Sequence, residues 1–474
     1  MAPRGCYVAL LVATFGWSQD PARALADEPL SVGMAETEIT PPIVLPVWLA
    51  GFQQNRRASG VHDPLMARAV VLKHGKQKLA LVSVDLIGLQ YPVVKRIRAR
   101  LPGWTYCLVS STHNHEGPDV IGLWGPGPLT SGVDPAYLEL VIVRVVEAVQ
   151  KAERAAAPVT AAFGTTKADE LLHDSRLPRV YDGVLRVLTF RHADGTLAGL
   201  LVQWNCHPEA LGRRNTLITA DFPAATVAAL RKKYGCPVAY FSGAVGGLMT
   251  PPDGRYRDAD NRPLVDETYP YSDRYGQEVA EAASRAIDAA EPIELTPFAV
   301  AAKTVVVPQD NILYQLARSV GVLRRQGLIW TGDGELPSRV SHGLPQDRGQ
   351  RLAVETEVAC LRLGQLFIAC LPGEIYPELV YGQYPQAAEA GVDFPAAPLE
   401  PSVAHIMGRR RWMLLGLAND EIGYIIPKRQ WDQRAPYAYG RATSQYGEVN
   451  SCGPDVAPGI MRSLERRVQE IGQR

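Results

Sequence analysis

This chain of 474 residues has no excess of charge, 49 Lys plus Arg balancing 49 Asp plus Glu. The two signs are interspersed, so no basic stripe points to nucleic acid as the main partner. Beyond the N-terminus no apolar run reaches bilayer length, and no stable membrane span is expected. CxxC pairs and zinc-finger spacings are missing. The cysteines after the N-terminal segment (Cys107, Cys206, Cys236, Cys360, Cys370, Cys452) fall largely in apolar strand-like runs, as core cysteines do, and leave disulfide pairing open. No Gly-x-Ser-x-Gly elbow exists, so Ser/His/Asp hydrolysis has no support. The glycine-rich loop from Gly243 to Pro251 lacks the Gly-Lys-Ser/Thr ending of a phosphate loop. Internal repeats, low-complexity tracts and clear linkers are also absent.

What is present begins with a leader. Arg4, the mostly apolar Cys6 to Trp17 and the small-x-small Ala24-Leu25-Ala26 read as a secretory signal peptide over 1–26. The chain is therefore expected to be exported, periplasmic or secreted, with 27–474 as one large domain. Gly 42 and Pro 37 suit many short strands and loops. Strands are predicted at 68–73 and 78–85 around a His74–Lys76 turn, at 106–109, 184–190, 199–205 and 237–241, at 412–417, and as a hairpin over 355–370. Helices are predicted at 137–156, 222–233, 275–290 and 457–471, over much of 309–327, and from Glu374 to Tyr384. The segment 330–351 reads as a surface loop. Strand–helix alternation with hairpins indicates a single mixed α/β domain.

The block Ser110-Ser-Thr-His113-Asn-His115-Glu-Gly-Pro118 follows a buried strand. Residues i and i+2 of an extended chain face one side, so His113 and His115 can share a site, as metal ligands or as an acid/base pair; capping of loop polar groups is the plain alternative. His207 stands just past another strand, where rigid scaffolds present functional groups. Glu374, in Leu-Pro-Gly-Glu, can complete a His/His/Glu zinc site or simply favour a helix N-terminus. Tyr424 closes Ala418-Asn-Asp-Glu-Ile-Gly-Tyr424 at a fourth strand end. On spacing alone it reads as packing. Arg176 is either an anion or carbonyl binder or a surface ion pair.

These blocks together resemble the neutral/alkaline non-lysosomal ceramidase family, in its N-terminal catalytic domain. The first block resembles the family's Thr-His-x-His-Ser-Gly-Pro signature, with Glu116 in the place of Ser. Gly33 to Pro42, His62-Asp-Pro-Leu65, His207, Leu-Pro-Gly-Glu374 and Ala-Asn-Asp-x-x-Gly-Tyr424 match in order over nearly all of 27–474. The resemblance implies two packed mixed β-sheets flanked by helices. It implies one catalytic Zn2+ held by His113, His207, Glu374 and Tyr424, with His115 beside the metal and Arg176 and Tyr446 lining the active site; Tyr437 and Tyr439 compete with Tyr446. Where the family has Gly-Asp-x-Ser-Pro this chain reads Gly247-Leu-Met-Thr250-Pro251, so Thr250 keeps a hydroxyl while the acid is lost. The family's immunoglobulin-like C-terminal domain has no counterpart expected here.

The implied activity is that of a zinc amidohydrolase: zinc-bound hydroxide attacks the amide of an N-acyl sphingoid or related N-acyl compound, a role in sphingolipid metabolism. Leu123, Trp124 and Leu129 are candidates for an acyl groove or for core. Two alternatives stand: a zinc hydrolase of a polar substrate (N-acyl sugar, peptide-like amide or ester), and a non-catalytic exported metal- or carbohydrate-binding protein.

Overall fold

The computed structural model describes Met1 and residues 28–44, 46–336, 338–341 and 349–472. Met1 aside, the signal-peptide reading over 1–26 lies outside the described residues.

The apolar runs become strands, the central ones (such as Gln77–Val84, Tyr106–Ser111, Val238–Ser242 and Leu366–Cys370) buried on both faces, and these form three main sheets. The first holds β1 (Ser31–Glu38), β2 (Met66–His74), β3 (Gln77–Val84), β4 (Tyr106–Ser111) and the short β5 (Ala157–Pro158), in the order β4-β3-β2-β1-β5. The second holds β6 (Thr160–Lys167), β7 (Val184–Arg191), β8 (Leu197–Trp204), β9 (Val238–Ser242) and β10 (Glu291–Pro292), in the order β9-β8-β7-β6-β10. The third holds β11 (Phe298–Pro308), β12 (Gly327–Ile329), β13 (Val340–Ser341), β14 (Leu352–Leu363), β15 (Leu366–Cys370) and β16 (Arg411–Leu415). Its order is β13-β12-β14-β15-β16, with β11 also paired to β14.

All three sheets are wound alike. An antiparallel strand lies beside a hairpin, and a further strand joins parallel to the hairpin's second arm. The sets are β1-β2-β3-β4, β6-β7-β8-β9 and β11-β14-β15-β16. This threefold repeat of topology is invisible in the sequence, because apolar residues of similar volume exchange freely at buried positions while strand order does not. The mixed α/β class and single domain expected from the sequence are what is observed, with a third main sheet added to the two implied.

One face of every sheet meets a common core, with Leu72 and Leu108 from the first, Leu188 and Phe241 from the second, and Leu361 and Met413 from the third. Helices cover the outer faces: α1 (Tyr91–Ala99) and α2 (Pro135–Arg154) on the first sheet, α3 (Phe222–Tyr234) and α4 (Tyr269–Asp288) on the second. The helix α5 (Ile312–Ser319) packs between the first and third layers, and α6 (Val456–Gly472) covers the third sheet. In α2, Asp134 caps the N-terminus and Pro135 opens the first turn. Val141, Val145 and Val149 form its buried stripe, each worth roughly 1.5–3 kcal/mol of apolar burial.

Two helix expectations are corrected. The helix over 309–327 shrinks to α5, capped by the Asn311 side chain, and the chain then turns at Gly321, φ +78°. The helix from Glu374 becomes a two-residue strand, Glu374–Ile375, and then a single turn at Glu378–Tyr381. Pro377 disfavours helical backbone in the residue before it, and Gly382 at φ +72° ends the turn. The described part of 330–351 carries the edge strand β13. The six described cysteines are buried and unpaired. Among the described residues no helix is long and apolar enough to cross a membrane.

Candidate active site

The parallel pairs β3/β4, β8/β9 and β15/β16 release their chains at their C-terminal ends, where sheets of this kind place ligands. His113 follows β4, His207 follows β8 and Glu374 follows β15. Tyr424 lies in register with Glu374 in a parallel ladder between Glu374–Ile375 and Tyr424–Ile425, so both side chains leave the same face.

The extended alternation expected for the histidine pair is broken. His113 takes φ +68°, a left-handed conformation costing roughly 1–3 kcal/mol, and its N–H donates to the Leu86 carbonyl at 3.0 Å. The rings of His113 and His115 still converge, with centroids 4.8 Å apart, and His207 lies 4.8 Å from His113. A turn, and not strand alternation, brings them together.

The hydrogen bonds of the two ligating candidates fix their tautomers. His113 Nδ1 is 2.7 Å from the Ile87 carbonyl and His207 Nδ1 is 3.1 Å from the Met249 carbonyl. A carbonyl only accepts, so each Nδ1 carries a proton and each Nε2 turns inward. Both Nε2 atoms meet the same carboxylate oxygen, Glu374 Oε2, at 3.3 Å and 2.9 Å. Two imidazoles and a carboxylate converging in a buried pocket could hold a cation between them. Zinc with N and O ligands at about 2.1 Å sets ligand atoms roughly 3.4 Å apart, which these separations fit. A carbonyl on the far nitrogen is also the usual outer support of a metal-bound histidine. The ring nitrogens of His113, His115 and His207 also lie within 4.8 Å of one another, a group that could hold a metal ion. Tyr424 adjoins them, its ring 6.4 Å from that of His207.

Burial alone would raise the Glu374 carboxyl, but His113 and His207 hold it well below the ordinary range. Burial opposes a charge on His113, yet Glu374 outweighs it and raises the imidazole. For Tyr424, burial and then the Glu374 charge push the phenol well up. The Glu374 carboxylate is thus the common electrostatic reference of the whole group.

The His115 ring lies 4.8 Å from that of His113 and 5.9 Å from that of His207. Its Nδ1 lies 3.1 Å from Glu209 Oε1, but neither ring nitrogen makes a hydrogen bond. Burial and the neighbouring His113 and His207 hold its pKa well below the ordinary value, so the ring is neutral. Arg56 donates to the His115 carbonyl and to Glu116 Oε2, the latter at 3.0 Å, locking the turn. Glu116, the departure from the family signature, is thereby a buried partner of Arg56. Gly51 at φ +75° passes so close that a Cβ there would fall 2.3 Å from His115 Nδ1.

Arg176 and Thr250, like His207, are not on the wall of the cavity described below. Arg176 is buried, bidentate to Glu448 at 2.9 and 2.7 Å, and donates to the Tyr446 carbonyl at 2.7 Å. It stacks over Tyr376, whose ring abuts Tyr424. Thr250 pairs with His173 in a short ladder, one residue beyond the Met249 carbonyl that orients His207. Tyr446 does reach the site: its ring is 5.8 Å from that of Tyr424 and its hydroxyl accepts from Asn450 Nδ2 at 2.5 Å. The competing Tyr437 and Tyr439 are not on the cavity wall.

His113, His115, Glu374, Tyr424 and Tyr446 form the floor of a cavity of roughly 600 Å³. Leu123, Trp124 and Leu129 form one wall, and Leu123 and Trp124 pack against the core as well; Leu313, Leu316 and Val320 of and just after α5 form the other. The mouth is apolar, with Leu129 74% and Leu313 58% exposed. Residues not singled out from the sequence are Arg56, Glu209, Glu421 and Tyr314. Glu421 stood inside the Ala-Asn-Asp-x-x-Gly-Tyr block at a position the pattern leaves variable, and Glu209 lies just beyond the block that ends at Pro208. Arg56 and Tyr314 carried no local signal.

No family profile matches the chain. It is 24% identical over 242 residues to neutral ceramidase from Pseudomonas aeruginosa, a stretch covering 46% of this chain and 36% of that protein. The crystal structure of neutral ceramidase from Pseudomonas aeruginosa superimposes with a TM-score of 0.69 at 16% identity, covering 94% of this chain and 75% of that one. A structure of ceramidase complexed with C2 gives a TM-score of 0.68, covering 94% and 76%. The resemblance to the neutral ceramidase family, read first from short ordered motifs, therefore holds in sequence and, across nearly the whole described chain, in fold.

Proposed function

We propose that this protein is an exported zinc-dependent amidohydrolase that cleaves an N-acyl compound carrying a long apolar chain, an N-acyl sphingoid or a relative of one. The observation that carries the reading is the meeting of two imidazole Nε2 atoms and a carboxylate at the foot of an apolar cavity. His113, His207, Glu374 and Tyr424 would hold the ion. When bound, zinc polarises an acyl carbonyl and lowers the pKa of water to about 7.

The chain's own groups supply the rest. His115, neutral and with both ring nitrogens free, accepts the proton of the attacking water. Glu209 at 3.1 Å balances the imidazolium that results. The water oxygen bonds to the carbonyl carbon, the C–N bond breaks, and His115 returns the proton to the departing amine. Burial and then the Glu374 charge keep the Tyr446 phenol protonated, so it can donate to the oxygen on which charge develops. Arg176 positions Tyr446 through its carbonyl. The apolar walls favour this reading over a polar substrate, and the free imidazole at the ion site favours it over a binding protein without turnover.

Elemental analysis of the wild-type protein and of His207→Ala tests it. About one zinc per chain, lost in the variant together with hydrolysis of an N-acyl sphingoid base, is the expected result. Zinc and turnover both retained in His207→Ala would refute the assignment.

A further inference from the structure

His113 and His207 are each anchored at Nδ1 by a backbone carbonyl, whereas neither ring nitrogen of His115 makes a hydrogen bond. A ring that exchanges a proton with water needs its nitrogens free, so it has to be aimed through its backbone and its packing. Arg56 supplies both. It is 3% exposed, and its Nη2 donates to the carbonyls of Ala50 and His115 at once. One nitrogen thus staples the turn that begins at Gly51 against the histidine. In that turn Gly51 faces the His115 ring, and Phe52 packs edge-on to it at 5.1 Å while lying 4.9 Å from the guanidinium. Nη1 donates to Glu116 Oε2 at 3.0 Å and to the Asn215 carbonyl at 3.4 Å. Glu116 Oε2 also accepts from Asn215 Nδ2 at 2.8 Å, so the counter-charge is itself held.

The backbone on both sides of the staple is strained. Phe52 at φ +50°, Asn55 at φ +61° and His113 at φ +68° are left-handed without being glycine. Such conformations persist only where the surroundings over-determine them, and they gather at sites that need fixed geometry. The same turn also supports the apolar wall: the Asn55 N–H donates to the Gly125 carbonyl at 2.9 Å, and Gln54 Nε2 to the Leu123 carbonyl at 3.3 Å. Only a planar fork can make the four bonds of Arg56; a lysine nitrogen is a single point and cannot.

We propose that Arg56 is a positioning residue of the reaction, fixing the His115 imidazole through its backbone, with Glu116 as the buried counter-charge. The proposal rests on the hydrolase reading for its meaning, but the placement of the ring can be read without turnover.

Three variants test it, each followed by thermal melting and elemental analysis: Arg56→Lys, Glu116→Gln, and Arg56→Met combined with Glu116→Leu. The double variant exchanges a buried ion pair for apolar side chains, which folds tolerate, so it separates stability from positioning. Arg56→Lys and the double variant should each lose about 100-fold in kcat on an N-acyl sphingoid base, with KM and zinc content near those of the wild type. Glu116→Gln, which keeps an acceptor for Arg56, should fall between the wild type and Arg56→Lys. In protein labelled in the histidine rings, without substrate, the NMR resonances of His115 should shift or broaden in Arg56→Lys while those of His113 and His207 stay in place. Wild-type kcat in Arg56→Lys or in the double variant, a loss confined to KM, a loss of zinc, or unmoved His115 resonances would overturn the proposal. Failure of the hydrolase reading looks different: no turnover in the wild type, with the His115 resonances still displaced in Arg56→Lys.

Discussion

Gly51→Ala perturbs His115 without touching His113, His207 or Glu374. The new Cβ would fall 2.3 Å from His115 Nδ1, where ordinary contact begins at 3.4 Å, so ring or loop must yield by about 1 Å. The ring is not free to retreat, because Arg56 holds the His115 carbonyl and Phe52 packs edge-on at 5.1 Å. Ala at φ +75° adds a left-handed backbone cost of about 1–2 kcal/mol. The expected outcome is a destabilisation of roughly 1–3 kcal/mol, seen as a lower urea midpoint. Turnover should fall about 100-fold, the usual effect of misplacing a catalytic group by about 1 Å. Zinc content should stay near that of the wild type, since His113, His207 and Glu374 are fixed from other strand ends. A variant with wild-type turnover and stability would refute the placement of His115; one that loses zinc would show that His115 belongs to the ion's ligand set.

Arg176→Met leaves Glu448 buried without its bidentate partner, and a loss of about 3–5 kcal/mol in urea unfolding is expected, partly restored by adding Glu448→Gln. An unchanged unfolding midpoint in the single variant would reduce the pair to decoration. Burial pushes the Glu378 carboxyl from 4.5 up to about 7, so the folded state holds that proton longer than the unfolded chain. Stability from this group is full below about pH 4.5 and is lost as pH rises through about 7, a swing of roughly 3 kcal/mol. Glu378→Gln should therefore gain on the wild type over that window, and a stability difference that is flat with pH would contradict the assignment. Leu313→Asp puts a charge on the cavity wall and should raise KM for long-chain N-acyl substrates at least tenfold, with little effect on short ones. The reason is that each acyl methylene left in water instead of apolar surroundings costs about 0.8 kcal/mol. Equal effects on both chain lengths would argue against an acyl groove there.

By itself the sequence determined the local elements and where the chemistry would emerge. The hairpin at His74–Lys76, the strand before Ser110 and the paired strands around Gly364 follow from apolar runs and turn residues, which act over a few positions. His113, His207 and Glu374 stood out because each lies just past a strand end inside a short motif, whereas Tyr424 read as packing on spacing and was singled out by the family resemblance alone. The tertiary structure decided which groups meet. That Tyr424 faces Glu374 depends on a two-residue register between segments about fifty positions apart. That Arg176 clamps the Tyr446 loop, and does not face the cavity, depends on a buried Glu448 that no local pattern marks. The threefold winding, the Arg56 lock on His115 and the α5 wall were equally hidden. Secondary structure is fixed by neighbours along the chain, whereas side-chain convergence is fixed by sheet register and packing between distant segments.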